Sequence, residues 1–526
     1  QQLTGRSCPK ENRRNDGCSV MKQLIVVLIV FIFSTSNVFG SYCTNARNGI
    51  KSSAMISRYL TDLAAFSSGY AVVESIAESD SGKEIAAILI SESASWQDLQ
   101  KPTVVITGAI HGNEWATPEV AIGIAEYLLL NKDNNSPALD DKGVLINEAV
   151  INDAGDVSRE LVTPGLTSIK QLLQTIQVII IPVLNPDGYD YSQTPAGKTS
   201  YYGTGWRPNR SNLSSSLTKE ICYKQDGTRY DTTPANVQRC IMADYDDTAE
   251  DGELEEELVV VCEDADQTTV SLFEPFLAVA SGEMVEAIYD ETKQKRVFCG
   301  SGQRRVWKAE WTTDDNSTIS ISKARSDGYL QEAFGTDLNR NFQYKWDVTQ
   351  DQKHLFIRSR SPSSRIYRGP DIVSEKEISS IEELIDNKNV VALIDYHSGS
   401  TQVLYPYAYS TEIRVNENIL GGSSDYDVFQ QVSEKIASLL NRHDRGDETI
   451  VNFTAAQNFN DTSVGSGVAR DCYYQTEGIA AINIEVHDRQ FTYEDADFGK
   501  VVPLICKINV PGAIWFMFWA AELSRK

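Results

Sequence analysis

The stretch GAIHGNEWATPE, residues 108–119, places His111 and Glu114 three apart in a chain that has only five histidines. It overlaps the end of the apolar run TVVITGAI, residues 103–110. A short, continuous, β-branched run of this kind predicts a strand covered on both faces, as in the middle of a parallel sheet. In open α/β sheets, ligands gather beyond the carboxyl ends of such strands. An HxxE pair alone arises often by chance, so its position at a strand end gives it weight.

Three more runs have the same character: QVIIIPVL (177–184), VVALIDY (390–396) and AAINIEV (480–486). The third run of the four ends at His397, and the fourth carries Glu485 near its end. A lone histidine ending a strand is more often structural than a ligand. Two histidines and a glutamate at neighbouring strand ends make a common catalytic zinc set, with one coordination position left for water. Glu485 is then placed to act as general base on that water. Helical patterns lie between the runs. One starts at Thr117-Pro118 and continues through VAIGIAEYLLL, with Thr117 as the expected N-cap. Others are ISSIEELI after Ser374 and YDVFQQVSEKIASLLNRH. The run VPGAIWFMFWAAELSRK predicts a closing helix packed on the sheet, too short to span a membrane. The expected fold class is α/β, a mixed, largely parallel central sheet with helices on both faces.

The bulk numbers exclude some functions. The 526 residues are 41% hydrophobic and 9% aromatic, as in globular proteins. A net charge of −25 argues against nucleic acid as a partner. Met21-Lys22 followed by the apolar run Leu24 to Phe33, with Val38 and Gly40 beyond it, predicts a secretory signal over 21–40. Residues 1–20 are expected to be unstructured upstream sequence, and 41–526 the functional domain. Of nine cysteines, seven follow Gly40: Cys43, Cys222, Cys240, Cys262, Cys299, Cys472 and Cys506. In a secreted chain these predict disulfides with one thiol left over. Sequons at Asn134, Asn212, Asn316, Asn452 and Asn460 fit that compartment. Residues 211–333 break the strand–helix rhythm. They hold four cysteines and the acidic run DYDDTAEDGELEEE (244–257), whose bland reading is a solvated loop. The segment is expected to be a long insertion stapled by two disulfides. It leaves the chain just after Arg207 and rejoins shortly before Asn339-Arg340, so either a lobe at the rim of the site, limiting access of folded proteins, or an excursion away from the cleft is expected.

The blocks GAIHGNEW, NPDGYDYS, GWRPNR, GTDLNRNF, SSRIYRGPDIVSEKE, IDYHSGSTQVLYPY and INIEVHD occur in that order. Together they resemble the zinc metallocarboxypeptidases of the carboxypeptidase A/B type, over about residues 46–526 apart from the insertion. The resemblance implies a carboxypeptidase-like fold and one Zn²⁺ per chain, held by His111, Glu114 and His397. It makes Glu485 the general base and proton shuttle, and Arg207 the group that polarises the scissile carbonyl. Asn339 and Arg340 match the pair that holds the substrate's terminal carboxylate, for which a guanidinium fork is well shaped. Asp337 matches the carboxylate that orients the first histidine ligand. Arg470, aligned through Asp471, falls on the floor of the specificity pocket and implies a taste for C-terminal Asp or Glu. The partners implied are peptide or protein C-termini. No nucleic acid and no stable membrane insertion after signal cleavage are expected, and the chain is expected to be a monomer.

Some positions depart from the family pattern. Asn113 stands where digestive members carry arginine, and Gly399 replaces a tyrosine. The capping tyrosine has no clear counterpart. An ungapped count from Asp471 reaches Ser463, Phe459 is an alternative, and Tyr473 is expected to point elsewhere. Two competing readings are a zinc deacylase of N-acyl amino acids and a non-catalytic binding protein on the same fold. NPDGY, YRGP and LYPY favour the peptidase over the first, and the intact ligands and base over the second.

Overall fold

In the computed structural model the described residues are 42–140, 143, 145–146, 165–194, 197–198, 205–211, 335–346, 366–369, 371–415, 418–420, 424–442, 452–458, 463–488 and 495–525, with short strands between 259 and 320 and at 355–356. The chain divides into a segment ending at Tyr42 and a unit from Cys43 onward, and the fold is that of the second. The expected signal, the upstream segment, Phe459 and most of the insertion lie outside the described residues.

Eight strands form one sheet: β1 (Ala71–Glu78), β2 (Glu84–Ile90), β3 (Thr103–Thr107), β4 (Gln177–Ile181), β5 (Val390–His397), β6 (Gln402–Leu404), β7 (Thr454–Ala456) and β8 (Ala480–Glu485), in the order β1-β2-β4-β3-β5-β8-β6-β7. The four apolar runs supply β4, β3, β5 and β8, which lie side by side and parallel. The register aligns them in rows. Ile179, Val105, Leu393 and Ala481 make one row, and Ile180, Ile106, Ile394 and Ile482 make the next. Because strand side chains alternate, these rows face opposite ways, and both need cover. That is why the runs are continuous in sequence. β1, β2 and β6 add antiparallel edges, so the sheet is mixed as expected.

The first row packs on α5 (Lys376–Asp386) and α7 (Ala469–Glu477), through Ile378, Ile381, Leu384, Cys472 and Tyr473. Tyr473 lies in this core, edge-on to Phe342. The other face carries α2 (Ala116–Asn131), α6 (Asp425–Leu440) and α8 (Asp495–Leu523). α2 is buried on every side from Ala116 to Leu129, which requires its nearly all-apolar sequence. It begins one residue before Thr117. The Thr117 hydroxyl accepts from Ala109 N and donates to Glu114 O, so it serves the exit of β3 rather than capping the helix. α8 is longer than its sequence pattern predicts and runs through Pro503 and Pro511. Its stretch Phe498–Leu523 is long and apolar enough to cross a membrane, but most of it is buried inside the fold. A disulfide joins Cys43 to Cys506 in α8, and Cys472 is a buried free thiol.

The ends of the insertion meet. Asn209 N donates to Thr336 O at 3.0 Å, and Thr336 N donates to Asn209 Oδ1 at 2.8 Å. Between them, residues 259–263, 269–272 and 304–308 form a three-stranded antiparallel sheet, with further strand pairs at 287–290/295–298 and 310–312/318–320. The bonds expected of Cys222, Cys240, Cys262 and Cys299 lie outside the described residues.

Candidate active site

The sequence blocks that carry the resemblance interlock through close backbone approach. Gly112 N donates to Arg207 O at 2.8 Å, and Ser192 Oγ donates to Gly112 O at 2.6 Å. A Cβ on Gly112 would lie 2.5 Å from the Gly188 carbonyl and 2.8 Å from Trp206 O, so only glycine lets the three segments meet. Asn185, at the start of the short helix α4 (Pro186–Ser192), bonds Ile110 O and Pro208 O with one amide. These contacts fix the loop after β3, which presents His111 and Glu114. Ala109 at its start has φ 44°, a left-handed turn that redirects the chain out of the strand.

His111, Glu114 and His397 come together, with candidate ligand atoms within 4.8 Å of one another. The two Nδ1 atoms lie 3.1 Å apart, Glu114 Oε1 lies 2.8 Å from His111 Nδ1, and Glu114 Oε2 lies 3.2 Å from His397 Nδ1. Both imidazoles therefore turn Nδ1 toward one point while Nε2 is engaged elsewhere. His111 Nε2 is 3.0 Å from Asp337 Oδ1, and His397 Nε2 is 2.7 Å from Asp395 Oδ2. A carboxylate acceptor keeps the proton on Nε2 and leaves the Nδ1 lone pair free, as a metal ligand requires. The donor set fits zinc, with two imidazole nitrogens and one carboxylate.

Glu485 ends β8 directly beside His397 in the register. Burial pushes its carboxyl up to about 7, and the Glu114 charge adds to the effect against the pull of His397, Arg207 and Arg470. Burial would also raise Glu114, but the His111 and His397 imidazoles override it and hold it below the usual carboxylate range. Asp337 is held well below that range, since Arg207 and His111 outweigh its burial. Asp337 serves two groups at once, because its Oδ2 accepts from Arg207 Nε at 2.9 Å.

Three guanidiniums are buried near these groups: Arg207, Arg340 and Arg470 are 9%, 7% and 4% exposed. Burial lowers Arg340 to about 10, with Arg207 and Arg470 acting on it in the same direction against Asp337. Arg340 donates to Asn339 O at 2.6 Å. Asn339 Oδ1 accepts from Ala469 N at 2.9 Å, which ties the loop to the start of α7. Arg470 donates to Gln457 O, while its Nε is buried without a hydrogen-bond partner. Asp471 pairs with that charge only at long range. Its oxygens accept from Ala408 N at 2.8 Å and Tyr409 N at 3.2 Å, and its nearest approach to Arg470 Nε is 3.9 Å.

The sequence reading missed Asp395 and Thr107. Asp-x-His at the end of a buried strand was the available signal, since alternation puts i and i+2 on one face. Gly399 has φ 135°, a conformation that explains glycine there better than the loss of a tyrosine does.

The sequence model of the zinc carboxypeptidase family matches residues 56–146, 156–297 and 300–502, and the chain belongs to that family. Mast cell carboxypeptidase A of Mus musculus is 31% identical over 120 residues, 22% of this chain and 24% of that protein. Carboxypeptidase Z of Mus musculus is 31% identical over 162 residues, 31% of this chain and 20% of that protein. Carboxypeptidase B of Homo sapiens is 34% identical over 96 residues, 18% and 21% of the two chains. The chain thus spans a quarter or less of the length of these relatives. The crystal structure of carboxypeptidase A from Helicoverpa armigera shares the fold, with a TM-score of 0.50 at 17% identity over 96% of this chain and 82% of that one.

Proposed function

We propose that the protein is a secreted, zinc-dependent carboxypeptidase that removes acidic residues from peptide C-termini. The observation that carries this reading is the closeness of a His–Glu–His ligand set to three buried guanidiniums, in a chain of net charge −25. Arginine in a dry cleft of an acidic protein is suited to an anionic substrate.

His111, Glu114 and His397 would hold the ion, which when bound supplies a Lewis acid and an activated water. Glu485, poised near neutrality, takes the water's proton and returns it to the leaving amine. Arg207, fixed through Nε to Asp337, points its remaining N–H groups at charge developing on the carbonyl oxygen. Arg340 and Asn339 bind the terminal carboxylate, which sets the enzyme to count from the chain end. Arg470, whose Nε makes no hydrogen bond within the protein, meets a Glu or Asp side chain and repels Lys or Arg. Secretion is supported by the leader pattern, by the Cys43–Cys506 disulfide and by exposed sequons at Asn134 and Asn452.

The test uses blocked dipeptides that differ only in a C-terminal Glu, Phe or Lys. Glu is expected to be cleaved fastest, with activity abolished by a chelator and restored by zinc. Glu485→Gln should retain zinc and lose about 10²–10⁴-fold in kcat. Arg470→Ala should erase the preference for Glu. Faster cleavage of Phe or Lys overturns the acidic specificity, and full activity without zinc overturns the mechanism.

A further inference from the structure

The carboxylate of Asp395 is buried in the middle of the sheet, in a row between Thr107 on β3 and Asn483 on β8. Its neighbour two residues back on the same face, Leu393, belongs to the core, and Asp395 is 1% exposed. A carboxylate in such a place needs compensating bonds. It has two. Thr107, its register partner on β3, donates Oγ1–H to Asp395 Oδ1 at 2.7 Å, and His397 Nε2 lies 2.7 Å from Asp395 Oδ2.

A second group competes for His397 Nε2. Asn339 Nδ2 lies 3.2 Å from it. The Asn339 amide is oriented, because its Oδ1 accepts from Ala469 N. The side facing His397 is therefore an NH₂ donor. Nε2 cannot accept from Asn339 and donate to Asp395 at the same time. If Asn339 prevailed, the ring proton would sit on Nδ1, the atom that faces His111 and Glu114, and would block it as a ligand.

We infer that Asp395 is the positioning residue that decides this contest, holding His397 in the Nε2–H tautomer and turning Nδ1 to the metal. Thr107 in turn aims the carboxylate. Asp337 does the same for His111, so both imidazole ligands are backed by carboxylates from different segments. The inference rests on the proposed zinc site and deepens it.

The experiment uses the full chain and two readouts: zinc affinity by competition with a chromogenic chelator, and the imidazole ¹⁵N spectrum of the zinc-free protein at a pH high enough that the His397 ring carries a single proton. In the wild type His397 should be protonated at Nε2. Asp395→Ala should move the proton to Nδ1 and weaken zinc binding by about 10–100-fold. Asp395→Asn keeps the side-chain volume, carries the test if Asp395→Ala fails to fold, and should weaken zinc by about 10-fold or more. A residue that serves packing alone would change thermal stability and leave both readouts unmoved. Zinc affinity within twofold of wild type, with the Nε2–H tautomer retained, overturns the role of Asp395. A wild-type protein that binds no zinc overturns the metal site itself, so the two failures are distinct.

Discussion

Glu377, in the first turn of α5, is 2% exposed and has no lysine or arginine paired with it among the described residues. Asn209 Nδ2 donates to Glu375 Oε2 at 2.6 Å and to Glu377 Oε2 at 3.3 Å, so one amide serves two neighbouring carboxylates. Burial, and then the Glu375 charge, push the Glu377 carboxyl from 4.5 up to about 8. The folded state thus keeps a proton that the unfolded chain releases. The native protein binds more protons between pH 4.5 and about 8, so stability falls as pH rises through that window. Each pH unit costs up to about 1.4 kcal/mol, and the whole shift about 5 kcal/mol. Glu377→Gln keeps the shape and removes the titration. At pH 5 its melting temperature should match wild type. At pH 9 it should lie higher by about 5–10 °C, at roughly 2 °C or less per kcal/mol for a chain of this size. Scanning calorimetry of both proteins across this range is the assay, and a difference that does not change with pH would refute the reasoning.

Gly123 lies in the middle of α2, where a Cβ would strike the Cys43–Cys506 disulfide, with Cys43 Sγ 2.8 Å away and Cys506 Sγ closer still. Gly123→Ala should therefore lower thermal stability by about 1–3 kcal/mol, against the gain of up to about 1 kcal/mol that helix propensity alone gives alanine; a higher melting temperature would contradict it. Because Asn209 and Thr336 close the base of the insertion with two hydrogen bonds, replacing residues 212–334 by a short Gly/Ser linker should leave one zinc per chain and the dipeptide rate intact. Metal analysis of the shortened protein checks this, and loss of zinc would show that the site depends on the insertion.

The central strands were legible because β4, β3, β5 and β8 are covered on both faces, and such strands must be continuously apolar. The outer strands β1, β6 and β7 were not, since partial exposure and short length leave a weak and irregular pattern. The start of α2 was read two residues late because Thr117 looks like a cap and bonds elsewhere, while the N-cap is Trp115. The length of α8 was hidden by Pro503 and Pro511, which local rules read as breakers and dense packing tolerates.

The ligand set follows a similar division. Strand ends are a local property, so His111, His397 and Glu485 could be picked out from sequence as candidates. The sequence by itself determined the candidate ligand and base residues and that they lie at or just beyond the ends of buried strands. Only the tertiary structure decided that Asp395 and Asn339 compete for one imidazole nitrogen, and that Asp471 accepts from the amides of Ala408 and Tyr409 and leaves Arg470 Nε without a hydrogen bond. Apart from Asp395–His397 within one strand, those contacts join residues 58 to 63 positions apart. They are set by how helices and loops pack on the sheet, and no periodicity along the chain encodes which distant carbonyl, amide or carboxylate a buried side chain will meet.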